Sequence, residues 1–104
     1  MGSLELICFE IISNVGMARG SFIEAIDLAT EGKFHEAEDK ILEGDNYFSA
    51  GHSAHTKLIQ QEAEGNKTEF ALLLIHAEDQ LMSTESFRIL AEKFIALNKK
   101  IENK

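Results

Sequence analysis

Apolar and small residues recur at alternating spacings of three and four along most of the chain, which is the period of one helix face. In residues 4–29, the positions on this line are Leu4, Cys8, Ile11, Val15, Ala18, Phe22, Ala25 and Ala29. Ser3 is a suitable cap before this helix, and Gly32 is a suitable stop because glycine readily adopts the left-handed backbone geometry that ends many helices. The pattern predicts one long helix followed by a tight turn.

A second helix is predicted from about residue 34 to residue 64. Its buried line consists of Phe34, Ala37, Ile41, Phe48, His55 and Leu58. The next turn falls at residues 65–68, where either Asn66 with Glu69 or Thr68 is placed to cap a third helix that reaches about residue 102. The fold prediction is therefore all-α, with three long antiparallel helices in a single domain over residues 1–104.

The predicted third helix carries polar residues inside its most apolar part. Its main apolar line consists of Leu72, Ile75, Met82, Ile89 and Ala96. Asp79 lies on the same line, where another apolar residue is expected, and His76 lies about 60° around the helix from it. A second line consists of Leu73, His76, Gln80 and Phe87. This arrangement predicts an imidazole at the edge of a buried stripe, where a partner can reach it.

Composition narrows the class of protein. The chain has no proline and a net charge of −8, with 10 basic against 18 acidic residues. Long uninterrupted helices are favoured, and nucleic acid is excluded as the main ligand because its recognition relies on lysine and arginine. The single Cys8 cannot form an internal disulfide, and it lies on the buried line of the first helix, which favours a packing role.

With no signal-peptide pattern and no apolar run approaching a membrane span, we expect a cytoplasmic protein without membrane insertion.

Two features of the pattern point to close contacts between helices. Residues 71–75 are apolar on every side of the third helix, so three helices alone would leave part of this girdle in water, and self-association would cover it. Four glycines within the helical segments each cost about 1 kcal/mol relative to alanine, which close helix packing would justify. They are Gly16, Gly20, Gly44 and Gly51.

Three blocks of sequence carry a family resemblance. They are Ile-Ser-Asn-Val-Gly-Met-Ala-Arg at residues 12–19, Gly-His-Ser-Ala-His-Thr-Lys-Leu-Ile-Gln-Gln-Glu-Ala at 51–63 and Leu-Leu-Ile-His-Ala-Glu-Asp-Gln-Leu-Met at 73–82. In this order they resemble the enzyme IIA component of the lactose/cellobiose (chitobiose) class of the bacterial phosphoenolpyruvate-dependent sugar phosphotransferase system. The resemblance implies a homotrimer in which nine helices pack about a three-fold axis.

The resemblance also implies a covalent chemistry for His76. This residue matches the histidine that accepts a phosphoryl group from the histidine phosphocarrier protein and passes it to a cysteine of enzyme IIB during uptake of a disaccharide. An imidazole suits this role because it is mostly neutral near pH 7, so that a ring nitrogen carries a free lone pair. From the residues alone, a core histidine with satisfied ring nitrogens is the favoured alternative.

Side chains near His76 are candidates for holding the phosphoryl group. A histidine in the middle of a helix has no free backbone N–H donors beside it, because these occur only in the first turn. We therefore predict donors from Gln80, one turn further on, and from His52 or Gln61 on another helix or subunit. The alternative for each is an ordinary solvated polar residue.

The resemblance assigns Asp79 to a structural metal site. It matches an aspartate that meets its symmetry mates at the trimer axis, where three carboxylates share a divalent cation. Close carboxylates repel each other unless a cation or protons intervene, and an all-oxygen site favours Mg²⁺ or Ca²⁺ over zinc, with Mg²⁺ expected here. The alternative is a local bond from Asp79 to a serine, threonine or lysine of the next helix, or a position in a wet groove.

Two rival functions remain open at this stage. One is a non-catalytic helical adaptor or assembly module, which explains the periodicity but not the placement of His76 and Asp79. The other is a histidine-based zinc protein built on His52, His55 and His76, a weak signal because spacings of three residues are common by chance.

Overall fold

The computed structural model describes residues 3–104, which contain three helices and no strand. The helices are α1 (Ser3–Thr30), α2 (Phe34–Ala63) and α3 (Leu72–Glu102). The all-α prediction is confirmed, and the predicted single domain includes residues 1 and 2, which lie outside the described part. Contacts between the beginning of α1 and the end of α2 show that these two helices are antiparallel, and α3 returns parallel to α1 in a rod of 56 × 23 × 19 Å.

The buried line of α1 is confirmed almost position by position. Seven of its eight predicted residues are buried, and Leu4 is partly buried and packs against the same core. These residues divide between two clusters, one near each end of the rod. In both clusters α1 is the central helix, against which α2 and α3 pack. The even spacing of small and large residues along α1 explains why the sequence located this face correctly.

Gly32 ends α1 as predicted. Its φ is +79°, and the N–H of Lys33 donates to the carbonyl of Leu28 at 2.9 Å while the N–H of Gly32 donates to Ala29 at 3.0 Å. This pair of bonds is the Schellman motif, which needs a residue in the left-handed region. Gly65, with φ +94°, repeats the pattern at the end of α2.

The predicted start of the third helix is wrong. α3 begins at Leu72, residues 66–71 are not helical, and neither Asn66 nor Thr68 caps the helix. The N–H of Thr68 instead donates to the carboxylate of Glu62 on α2, at 3.3 Å. This bond ties the connecting segment to the end of α2, so the backbone of Thr68 is engaged there and not at the start of α3.

α2 approaches α1 through its smallest residues. Ala37, Ile41 and Leu58 are buried as predicted, but Phe34, Phe48 and His55 are only partly buried. The positions omitted from the prediction are Gly44, Gly51 and Ala54, which are fully covered. A methyl group at Gly44 would collide with the ring of Phe22, so close packing explains this glycine.

The buried face of α3 differs from the predicted one. The core residues are Ala77, Leu81, Thr84, Ala91 and Ile95. The apolar line through Ile75, Met82 and Ile89 faces outward, with 45%, 66% and 50% of these residues exposed. The smaller residues Ala77, Thr84 and Ala91 allow close packing and Leu81 and Ile95 complete the core face, whereas the large apolar residues that dominated the sequence pattern lie on an outward face.

The prediction that no apolar run approaches a membrane span is wrong, because one helix meets the length and composition criteria for such a span. Within residues 3–104, α1 alone is long and apolar enough to meet that criterion. The central helix of a bundle meets the same criterion, and α1 is the helix that contacts both others.

Candidate functional site

His76 is exposed at the beginning of α3, which is nearer to a helix terminus than the sequence predicted. It is the fifth residue of α3, so it follows directly on the first turn. In that turn the N–H groups of Leu74 and Ile75 both donate to the carbonyl of Ala71, at 3.1 and 3.2 Å. Side chains of a helix lean towards its N-terminus, so the imidazole leans towards the partly positive end of α3. The prediction that His76 lies far from such a terminus is therefore wrong.

Within the described residues, the imidazole of His76 forms no ion pair with a carboxylate. Two other histidines lie near acids: His35 Nε2 is 3.8 Å from Asp39, and His55 Nε2 is 3.9 Å from Glu78. No such pair involves His76 in residues 3–104. The structure therefore leaves this ring open to an approaching group, and it excludes a core position in the protomer.

Gln80 lies on the same edge of α3 and contacts a cation. It is one turn beyond His76, about 40° around the helix, and its side-chain oxygen accepts a hydrogen bond from Nη1 of Arg19 on α1 at 3.4 Å. The guanidinium of Arg19 also lies over the ring of Phe87, 4.8 Å from its centre. A positive charge is thus held at the seam between α1 and α3, in contact with the residue one turn beyond His76.

Arg19 was not identified as a site residue from the sequence. A single basic side chain usually marks a solvated face, and its contact with Gln80 joins positions 61 residues apart. The available signal was its isolation, because Arg19 is the only basic residue in positions 1–32.

His52 and Gln61 do not meet His76 within the protomer. Both are exposed on α2. The His52 ring stacks on Phe48 at 6.3 Å, and the Gln61 carbonyl accepts the N–H of Asn66. No hydrogen bond or ion pair within residues 3–104 joins either one to His76, and their supporting role stays a prediction.

Asp79 projects from the outward apolar line of α3 and is exposed. Ile75 and Met82 lie one turn to either side of it. Across residues 3–104, no group of three or more histidine, cysteine, aspartate or glutamate side chains could hold a metal ion. A zinc cluster of His52, His55 and His76 is therefore not formed within one chain, and a cation at Asp79 would need carboxylates from other chains.

Cys8 is fully buried in the core between α1 and the beginning of α3. Burial raises the pKa of this thiol, and the negative charge of Glu78 raises it further. A thiol that resists ionisation is a poor nucleophile, which agrees with the predicted packing role.

Comparison with known proteins identifies the family. Residues 6–99 match the family model described as PTS system, Lactose/Cellobiose specific IIA subunit. The oligo-beta-mannoside-specific EIIA component of Bacillus subtilis is 41% identical over 95 residues, which cover 91% of this chain and 86% of that protein. This chain belongs to the lactose/cellobiose-specific IIA family of the sugar phosphotransferase system, as its three sequence blocks predicted.

Solved structures agree in fold over nearly the full length. The cellobiose-specific enzyme IIA from Bacillus anthracis superposes with a TM-score of 0.97 and 42% identity, covering 100% of this chain and 95% of that one. A IIA(Chitobiose) chain of Escherichia coli, solved in complex with HPr, gives a TM-score of 0.83 and 29% identity over 98% of this chain and 99% of that one. The three-helix architecture is therefore that of the IIA component.

Proposed function

We propose that this IIA component carries phosphate on His76 during import of a disaccharide. A lone pair of one ring nitrogen attacks the phosphoryl group of the phosphorylated histidine phosphocarrier protein, so that a P–N bond forms on His76 as the P–N bond of the donor breaks. A cysteine thiolate of enzyme IIB then attacks the same phosphorus, and the imidazole leaves. The observation that carries this proposal is an exposed His76 with no carboxylate beside it in the described residues.

The surroundings of His76 suit two successive protein partners. Phe70 and Leu72, just before it, are 87% and 81% exposed, and side chains of a helix tilt towards its N-terminus, which here is the beginning of α3. Exposed apolar side chains near a reactive group give a docking partner area to bury, and the N-terminus of a helix favours the negative charge of a phosphoryl group. The solved complex of a chitobiose IIA with HPr supports the first partner.

The outward face of α3 supports the proposed homotrimer. Ile75, Met82 and Ile89 follow each other at seven residues, the repeat of a coiled-coil seam, and all are exposed in the protomer. Three copies packed along this seam would bury these side chains and form a bundle of nine helices. The same packing would allow His52 or Gln61 of one subunit to approach His76 of another.

A divalent cation is proposed at the centre of that seam. Each chain offers one exposed Asp79 carboxylate with apolar neighbours, so three chains would bring three carboxylates together. Their oxygen ligands fit Mg²⁺, which would neutralise their repulsion and serve a structural role. The chemistry of His76 does not involve this ion.

The family supports a proposal for the sugar class and for the location. Relatives include proteins specific for oligo-beta-mannosides and cellobiose, so we propose a β-linked disaccharide as the imported sugar and the cytoplasm as the compartment. The sugar itself is bound by the membrane component, not by this chain.

A relay assay tests the proposal. The protein is incubated with phosphoenolpyruvate, enzyme I, the histidine phosphocarrier protein and a IIB component, and phosphate on the IIB cysteine is measured. His76→Gln should abolish this transfer, whereas the matched control His35→Gln, on an exposed histidine at the other end of the rod, should retain it. Transfer that survives His76→Gln would reject the proposal and favour the alternative, a helical adaptor that binds through the same apolar face.

A further inference from the structure

We propose that Arg19 is a positioning residue for the phosphoryl group on His76, acting through the amide of Gln80. This inference rests on the proposed function and extends it to a residue of α1. Arg19 holds the oxygen end of the Gln80 amide, which leaves the N–H₂ end as the donor available on the edge of α3 that carries His76.

The Arg19 side chain extends along the seam between α1 and α3. Side chains of a helix lean towards its N-terminus, and α1 and α3 are parallel, so Arg19 reaches back along α3 towards the end that bears His76. Its guanidinium passes over Phe87 at 4.8 Å and reaches Gln80 at 3.4 Å. Gln80 lies one turn, about 6 Å of helix rise, beyond His76.

The two arginines of the chain differ in whether a carboxylate pairs with them. The other arginine of the chain, Arg88, is engaged by the carboxylates of Asp45 and Glu92. No carboxylate forms an ion pair with Arg19 within the described residues 3–104. Although the chain has a net charge of −8, the positive charge of this guanidinium is therefore available to an incoming anion.

The contact with Arg19 fixes which end of the Gln80 amide remains available. A guanidinium has only donors, so Gln80 must present its oxygen to Arg19. Phosphoryl oxygens are acceptors, so the N–H₂ group that remains has the correct polarity to bind them. Without Arg19 the amide is free to turn its oxygen outward, which would repel the phosphoryl group.

The experiment compares phosphorylation equilibria. Wild type, Arg19→Gln, Arg19→Lys and the matched control Lys33→Gln are each equilibrated with the phosphorylated histidine phosphocarrier protein, and the phosphorylated fraction is measured. Loss of one charge-assisted arrangement should shift the equilibrium for Arg19→Gln on the order of tenfold. Arg19→Lys should recover part of the shift, and Lys33→Gln, at the opposite end of the rod, should match wild type.

A spectroscopic measurement separates positioning from a structural role. In ¹⁵N-labelled wild type, the side-chain N–H₂ signals of Gln80 should move on phosphorylation, and in Arg19→Gln they should move much less. If Arg19→Gln fails to fold, Gln80→Leu provides the same equilibrium test with Arg19 in place, and it too should shift the equilibrium against phosphorylation.

The outcomes are distinguishable from those of the proposed function. Wild type phosphorylated on His76, together with a folded Arg19→Gln that has the wild-type equilibrium and unchanged Gln80 signals, would overturn this inference alone. Wild type that accepts no phosphate on His76 would overturn both proposals.

Discussion

At the scale of single residues, two glycines determine how closely α2 approaches α1. An added methyl group at Gly44 would collide with the Phe22 ring, and one at Gly51 would lie 2.7 Å from Cγ1 of Val15. Gly16 has open space around the same position. Close packing at Gly44 and Gly51 therefore compensates the loss of helix stability that glycine causes. Gly16 has no such packing within the protomer.

Gly44→Ala should lower the free energy of unfolding by about 1–3 kcal/mol, because Phe22 is fully buried and the overpacked core must shift. Gly16→Ala is the control and should raise it by up to about 1 kcal/mol through helix propensity. Urea unfolding followed by circular dichroism measures both. Equal losses in the two variants would contradict this account of the α1–α2 contact.

The thiol of Cys8 should react slowly with a thiol-specific reagent such as DTNB in the folded protein, since burial raises its pKa above the ordinary value of 9.0. The folded state then retains a proton that the unfolded chain releases. Stability should consequently fall as the pH rises above 9.0 towards the raised pKa. Cys8→Ala should remove this part of the pH dependence, and an unchanged profile would contradict it.

Site residues that lie close together along the chain could be predicted from their spacing. Site residues that only the fold brings together could not. His76, Asp79 and Gln80 share two turns of α3, so their spacing alone related them. Arg19 reaches Gln80 only because α1 and α3 pack in parallel. The misplaced start of α3 has a different origin, because the capping signals at residues 66–69 fall in a segment whose Thr68 N–H binds Glu62 of α2.

At the scale of elements, α3 has one face packed in the core of the protomer and one apolar line directed outward. The sequence pattern predicted the outward line as the buried one. Periodicity reports that a face is apolar, but it does not report which apolar face meets the protomer's own helices. The small residues Ala77 and Ala91 face α1, while Ile75 and Met82 face outward. For α1, where the apolar line chosen from the sequence runs unbroken from Leu4 to Ala29, the same reasoning was correct.

Met82→Glu should dissociate the proposed trimer, because it places a charge within the seam where the copies meet. Leu42→Glu is the matched control, since Leu42 on α2 is 63% exposed and Met82 is 66% exposed. Light scattering should report a monomer for the first variant and the wild-type mass for the second. A wild-type mass for Met82→Glu would show that this face is not the seam.

At the scale of the whole molecule, an acidic rod that exposes large apolar side chains, among them the outward line of α3, suits an assembly that is visited by other proteins. The outward line of α3 is available for self-association, while the edge that carries His76 and Gln80 lies beside it. Assembly and chemistry therefore use adjacent surfaces of one helix. Asp79 lies on the first surface and His76 on the second.

Asp79→Leu should retain the assembly and abolish binding of Mg²⁺, because it removes both the repulsion and the ligands at the proposed axis. Titration calorimetry measures the ion, and light scattering measures the mass. Asp27→Leu, an exposed aspartate of α1, should leave ion binding unchanged. A monomeric Asp79→Leu would count against the axial position.

The central claim is that His76 is the residue that carries phosphate. The most direct measurement is peptide mapping by mass spectrometry, under conditions that preserve phosphohistidine, after incubation with phosphoenolpyruvate, enzyme I and the histidine phosphocarrier protein. We predict one phosphoryl group per chain, located on the peptide that contains His76. Phosphate on His35, His52 or His55 instead, or on no histidine, would contradict the account.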